Sequence, residues 1–259
     1  MTATNVGGKP SDMLPIRDHN PSRRTPYVTY ALIAANIIVF LLYLPAFADE
    51  RSILAIFHEW ALIPARIMYG EGSYTFATSL FLHGSILHLA GNMLFLYIFG
   101  DNLEDLFGHR RFLLFYLICG FLAGLTHVFS DPSSMIPTVG ASGAIAGVMG
   151  GYILLFPKAR VDVLIILVVI YRIISVPAWL VLGAWFALQL FSGTAVSSDE
   201  GGVAYWAHAG GFVFGLLITL PFWLKRGGTT FWSATLGHPP HPETKYRWAK
   251  TSVPRIRRR

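Results

Sequence analysis

The 259-residue sequence predicts an all-α membrane protein, a six-transmembrane-helix bundle with N- and C-termini cytoplasmic. Three observations carry that prediction. Hydrophobic residues make up 54% of the chain, whereas Asp, Glu, Lys and Arg together supply 13%, roughly half the charged content of a soluble globular protein. Charge-free stretches cover residues 27–48, 72–100, 112–130, 132–157, 173–198 and 201–224, and each supplies much or all of the roughly 20 residues that a spanning helix needs. Basic residues then set the direction. With the N-terminus inside, 18 of the 20 Lys and Arg residues fall on the cytoplasmic side, and only Arg51 and Arg66 fall outside. The formal charge of +6 follows from that orientation and from attraction to anionic lipid, so no nucleic-acid partner is expected for the basic end Arg255–Arg259.

Element by element, residues 1–26 carry Pro10, Pro15, Pro21 and Pro26 and read as a flexible cytoplasmic leader. The first span is too long for a secretory signal and lacks a small-residue cleavage site, so it is expected to remain as a signal anchor. The connection 49–79 carries Phe57, Trp60, Ile63, Ile67 and Tyr69 and is expected to lie on the outer interface as short amphipathic helices. The fourth helix runs only from about 141 to 156, roughly 24 Å against a hydrocarbon core of about 30 Å, so its start is expected below the outer surface. Residues 161–171 are too few to span and precede Arg172; they read as interfacial, with the fifth span starting near Pro177, and a single long bent helix is the alternative. The helical core is thus expected over 27–225, followed by a basic cytoplasmic tail over 226–259. The lone Cys119 lies mid-span, which excludes an intrachain disulfide and argues against a cysteine metal site.

Polar side chains inside spans are costly and mark candidate functional positions. Here they are Asn36, His83, His88, Asn92, His127, Ser142, Gln189 and His208. Helices two, four and six all begin at the outer face, and His88, Ser142 and His208 come near those beginnings, with Asn92 one turn below His88. Four polar groups from three helices therefore share one layer. His127 has no obvious partner, and Asn36 and Gln189 read as isolated interhelical hydrogen bonders. Small residues recur near every fourth position, at Gly143, Gly147 and Gly151 in helix four and at Ala204, Ala207, Gly211 and Gly215 in helix six, a pattern that lets backbones approach closely in a bilayer. If the two helices cross along these stripes, the Ser142 hydroxyl reaches the His208 ring. A serine hydroxyl needs such a base before it attacks a carbonyl. His88 and Asn92, four residues apart on one helix face, and the Ser142 N–H at a helix start can receive the oxyanion. No Asp or Glu is found at this depth to orient His208, so the pair reads as a dyad.

Gly140-Ala-Ser142-Gly143, Ala207-His208-Ala-Gly-Gly211-Phe-Val-Phe-Gly215 and His83-Gly-Ser-Ile-Leu-His88-Leu-Ala-Gly-Asn92 together resemble the motifs of rhomboid intramembrane serine proteases of the bacterial type, in order and on the matching helices, over about residues 27–225. The resemblance implies a rhomboid-like bundle. In it Ser142 is the nucleophile, His208 the base, and His88 and Asn92 oxyanion donors, while His83 is a structural or entrance residue. No metal or other cofactor is implied. Two positions depart from the pattern of some bacterial members. Tyr74 and Thr75 stand where a Trp-Arg pair is found in the first outer loop, and Ala146 stands where a tyrosine packs on the catalytic histidine, so another aromatic, expected from helix six, must support that ring.

Other chemistries fit less well. The soluble-hydrolase elbow Gly-x-Ser-x-Gly is not met, because Ala144 follows Ser142 by two. His83 and His88 are five apart, about 140° around a helix, and the His-Glu-x-x-His zinc pattern is absent. A transporter would use charged relays and two similar halves, and neither is found. The remaining rival is a catalytically silent rhomboid-like protein that binds transmembrane segments. The expected activity is hydrolysis of a peptide bond in or beside the membrane segment of a single-pass or polytopic membrane protein, in a bilayer taken to be a bacterial inner membrane. Helix five, with Trp179, Trp185, Phe186 and Phe191, is a candidate lateral gate, and the Ser- and Gly-rich loop 192–202 a candidate lid.

Overall fold

The computed structural model describes residues 13–20, 22–167, 170–195 and 203–240. The basic tail beyond 240, residues 1–12 and the lid candidate's residues 196–202 lie outside the described residues. Strand β1 (Met13–Asp18) precedes helix α1 (Tyr27–Tyr43), and three short helices, α2 (Glu50–Trp60), α3 (Pro64–Met68) and α4 (Thr75–Thr78), form the outer connection. Then come α5 (Ile86–Phe107), α6 (His109–Ser130), α7 (Ser142–Leu155), β2 (Arg160–Leu167), β3 (Ile170–Pro177), α8 (Ala178–Ala195), α9 (Tyr205–Lys225) and α10 (Thr229–Thr235). Among the described residues, four helical segments, namely α1 with its 3-10 extension to Ala48, α6, α8 and α9, are each long and apolar enough to cross a membrane. The pair Thr75–Phe81 and Ile86–Phe107, bent by 96° at its break, is long and apolar enough only when taken together, and α7 is a shorter apolar helix.

At the centre of the bundle is α7, every residue of which from Gly143 to Tyr152 is buried. Its 14 residues give about 21 Å of length, shorter than the bilayer core, so Ser142 starts inside the bundle. Its closest partner is α9. A Cβ added to Gly150 would stand 2.0 Å from the Phe212 carbonyl oxygen, one on Gly211 2.1 Å from that of Gly143, and one on Gly215 2.0 Å from that of Gly147. Backbone thus packs on backbone along the two stripes. Gly151 instead faces the side chains of Thr219, Leu103 and Phe115.

The helical prediction needs one correction, between α7 and α8. Residues 160–167 and 170–177 pair as antiparallel strands rather than forming part of one long bent helix, and part of the leader joins them as β1, giving a three-stranded antiparallel sheet in the order β1-β2-β3. The physical reason is the density of β-branched residues, which pack well on a pleated surface and lose rotamer freedom in a helix. Val161 and Val163, two apart and so on one face of β2, are both buried. Pro15 is tolerated because β1 is an edge strand, and the register shifts between Pro15 and Arg17. The same sheet binds the bundle: Asn102 Nδ2 donates to Asp18 Oδ2 at 2.8 Å, and the Tyr152 hydroxyl donates to the same oxygen at 3.2 Å.

Helix α5 also runs past Gly100, where its charge-free stretch ends, and carries a buried carboxylate. Glu104, 1% exposed, accepts from the backbone N–H groups of Val28 and Thr29 at 2.9 and 2.8 Å and from the Thr29 hydroxyl at 2.7 Å. The first turn of α1 has no side-chain cap of its own, so Glu104 supplies acceptors for its unsatisfied donors and a negative charge at the positive end of its dipole.

Candidate active site

The nucleophile candidate is set by the chain just before it. Gly140 adopts φ +130°, and a Cβ there would lie 3.0 Å from the His88 ring, so only glycine fits both the backbone and the neighbour. The segment leading to it is clamped by the outer connection: Leu62 and Thr138 exchange backbone hydrogen bonds at 3.0 and 2.8 Å, and Gly140 N–H donates to the Ser79 carbonyl at 2.9 Å. His127, which had no partner in the sequence reading, faces Thr138 Oγ1 at 2.7 Å and ties the same segment to α6.

Ser142 then opens α7, and its Oγ lies 2.7 Å from His208 Nε2 on α9. The predicted crossing of the two small-residue stripes brings this pair together. His208 Nδ1 lies 2.8 Å from Gln189 Oε1 on α8, so Gln189 is an interhelical hydrogen bonder, as expected, but its partner is the ring of the base candidate. Asn36, by contrast, donates to Leu32 O of its own helix. Trp185, one turn before Gln189, stacks obliquely on His208 with centroids 5.7 Å apart. The supporting aromatic therefore comes from the fifth bundle helix and not the sixth. Ala146 is fully buried against Gly211, where an added Cβ would stand 3.3 Å from its own.

His88 and Asn92 line the same cavity as Ser142 and His208, a space of about 560 Å³ bounded also by Gly91, Met149 and Trp185. Gly84 N–H points at His88 Nδ1 at 3.4 Å, which leaves the Nε2 edge, the one against Gly140, to carry the ring proton. Asn92 Nδ2 is buried without a hydrogen-bond partner among the described residues. His83 is fully buried, its backbone N–H donating to the Tyr43 hydroxyl at 2.6 Å while that hydroxyl donates to the His83 carbonyl at 2.9 Å. Its ring meets His88 edge-on at 5.1 Å. It anchors the break before α5 and does not stand at an entrance. In the outer connection, Tyr74 hydrogen-bonds the Glu59 side chain at 2.8 Å and packs against Trp60, bracing the loop in which some bacterial members carry Trp-Arg.

A central short helix, a glycine-lined crossing and a Ser–His contact at the floor of a cavity define a helical membrane protein of the rhomboid type. The Rhomboid domain model matches residues 71–225, more than half of the chain, and the chain belongs to the rhomboid family. It is 34% identical over 137 residues to Rhomboid protease GluP of Bacillus subtilis, covering 48% of this chain and 24% of that protein. It is 29% identical over 197 residues to Rhomboid protein 1, mitochondrial, of Saccharomyces cerevisiae, covering 73% of this chain and 51% of that one. Over 82 residues it is 38% identical to Inactive rhomboid protein 1 of Drosophila melanogaster, covering 32% of this chain and 6% of that protein. The matched segment thus spans between 24% and 51% of the length of the bacterial and yeast relatives.

Proposed function

We propose that this chain is an intramembrane serine endopeptidase that cuts transmembrane segments of single-pass or polytopic membrane proteins with a Ser142–His208 dyad. The observation that carries the reading is the 2.7 Å contact between Ser142 Oγ and His208 Nε2 beside a cavity. In acylation, Oγ attacks the scissile carbonyl carbon as its proton passes to Nε2. The carbonyl π electrons move to oxygen, which is met by His88 Nε2–H, Asn92 Nδ2 and the Ser142 backbone N–H. The tetrahedral intermediate collapses, the C–N bond breaks, and His208 returns the proton to the leaving nitrogen. Water then attacks the acyl ester, giving its proton to His208, and the Ser142 oxygen leaves and recovers it. A substrate helix hides its carbonyls in hydrogen bonds, so Gly and Pro residues that weaken it favour cleavage.

In this reading six helices cross a bacterial inner membrane, with α7 as the short fourth span, both termini cytoplasmic, the domain spanning 27–225 between a leader at 1–26 and a basic tail at 226–259, and no cofactor. The test is cleavage of a single-span substrate by the purified chain in lipid, with and without a chelator. Ser142→Ala and His208→Ala are expected to abolish it, and chelator to leave it unchanged. A wild-type chain that cuts none of several substrates with weakened helices would instead indicate a protein that binds transmembrane segments without cutting them.

A further inference from the structure

We propose that Gln189 is a positioning residue that holds His208 in the tautomer able to take a proton from Ser142; the inference rests on the dyad reading. Gln189 Nε2 is directed at the Trp185 carbonyl of its own helix at 3.5 Å, which turns its Oε1 toward His208 Nδ1 at 2.8 Å. An amide oxygen only accepts, so Nδ1 carries the ring proton and the Nε2 lone pair faces the Ser142 hydroxyl. Gln189 and His208 are 6% and 9% exposed, so bulk water does not readily replace the amide, and removing it leaves a buried N–H without its acceptor. As the Ser142 proton arrives, the ring becomes a cation with protons on both nitrogens, and the Nδ1–H bond to Gln189 strengthens as that charge grows. The glutamine thus does the orienting work of a triad's third member without its negative charge.

Gln189 and Trp185 both ride on α8. That helix is pinned at its cytoplasmic end by the Ala178 and Trp179 N–H groups, which donate to the Ala159 and Pro157 carbonyls at 2.8 and 3.0 Å. Gln189 lies about 16 Å along the helix from that pin. A tilt of about 10° would carry it about 3 Å, the length of the hydrogen bond itself.

The test compares wild type, Gln189→Leu and Gln189→Glu in lipid vesicles, with kcat and KM for a single-span substrate measured across pH and the thermal transition of each variant recorded. Gln189→Leu is expected to lower kcat on the order of 10–100-fold with KM within about twofold. Gln189→Glu is expected to keep cleaving, with the acid limb of its kcat profile moved about one pH unit or more higher, because a carboxylate beside the ring favours its protonated form. The other titratable groups facing His208, His88 on α5 and His127 on α6, are common to all three proteins. Nitrogen-15 spectra of histidine-labelled wild type supply a readout that does not depend on any variant folding, and the Nδ1–H tautomer is expected for His208. An Nε2–H tautomer, a Gln189→Leu variant with wild-type kcat, or an unmoved acid limb in Gln189→Glu would overturn the positioning role and leave the dyad standing. Cleavage that survives Ser142→Ala would overturn both.

Discussion

Asn92 and His88 line the Ser142 cavity from one helix, and in the proposed mechanism they share the charge that develops on the attacked carbonyl oxygen. Replacing either by alanine removes one donor where water is scarce, and such losses cost about 10²–10³-fold in kcat. For His88→Ala and Asn92→Ala we expect that fall with little change in KM, read from steady-state cleavage of a single-span substrate. Asn92 carries the cleaner test, because its amide hydrogens have no partner among the described residues and its removal orphans none of their donors. At this scale the sequence was most legible for residues with motif neighbours: Gly140 before Ser142 and Gly211 after His208 mark the two helix positions that meet. Gln189 and Trp185 were visible as a polar and an aromatic residue in one span, but their spacing of four shows only that they share a face, not which face. The rotation of α8 about its axis decides that both point at His208, and it is set by packing on α9 that no local pattern records.

Among the elements, α7 and α9 approach so closely that side chains are excluded from their crossing. Adding a methyl group at Gly150 would place it 2.0 Å from the backbone oxygen of Phe212, and because backbone yields less than a side chain, the helices must separate. Gly150→Ala is expected to destabilise the bundle by about 1–3 kcal/mol and, by moving α9, to weaken the Ser142–His208 contact and lower activity. Gly183→Ala on α8 is the matched control: its added carbon meets nothing within 4 Å, and helix propensity favours alanine, by about 1 kcal/mol at most. Reversible unfolding in detergent micelles, with cleavage assayed beside it, distinguishes the two. The small-residue stripes were readable because their period matches the helix. The pairing of β2 with β3 was not, because an apolar run of this length suits a buried strand and a helical segment equally well, and the third strand, β1, lies far away in the chain.

For the whole molecule, the sheet fastens the N-terminal segment to the C-terminal ends of α5 and α7 through Asp18. Burial, together with the negative charge of nearby Asp101, holds the Asp18 carboxyl well above its usual range. In the pH interval above about 4, docked Asp18 retains a proton that the undocked strand has released, so docking is strongest at low pH and weakens as pH rises through the raised value. Hydrogen exchange of the β1 amides, corrected for intrinsic rate, is therefore expected to show more protection at pH 5 than at pH 7.5. Asp18→Asn should flatten that difference and raise protection at neutral pH.

The pairing of β1 with β2 also orders events during synthesis. His19 and Asp162, which hydrogen-bond across those strands, are 143 residues apart in the chain, and at about 5–20 residues per second a ribosome needs roughly 7–30 s to make that stretch. The first strand of the protein is thus made well before its partner exists, while α1, α5, α6 and α7 are being delivered to the bilayer. It must stay unpaired and soluble through that interval, and its docking can only follow the synthesis of β2, after Ser142 and the rest of α7 have been made.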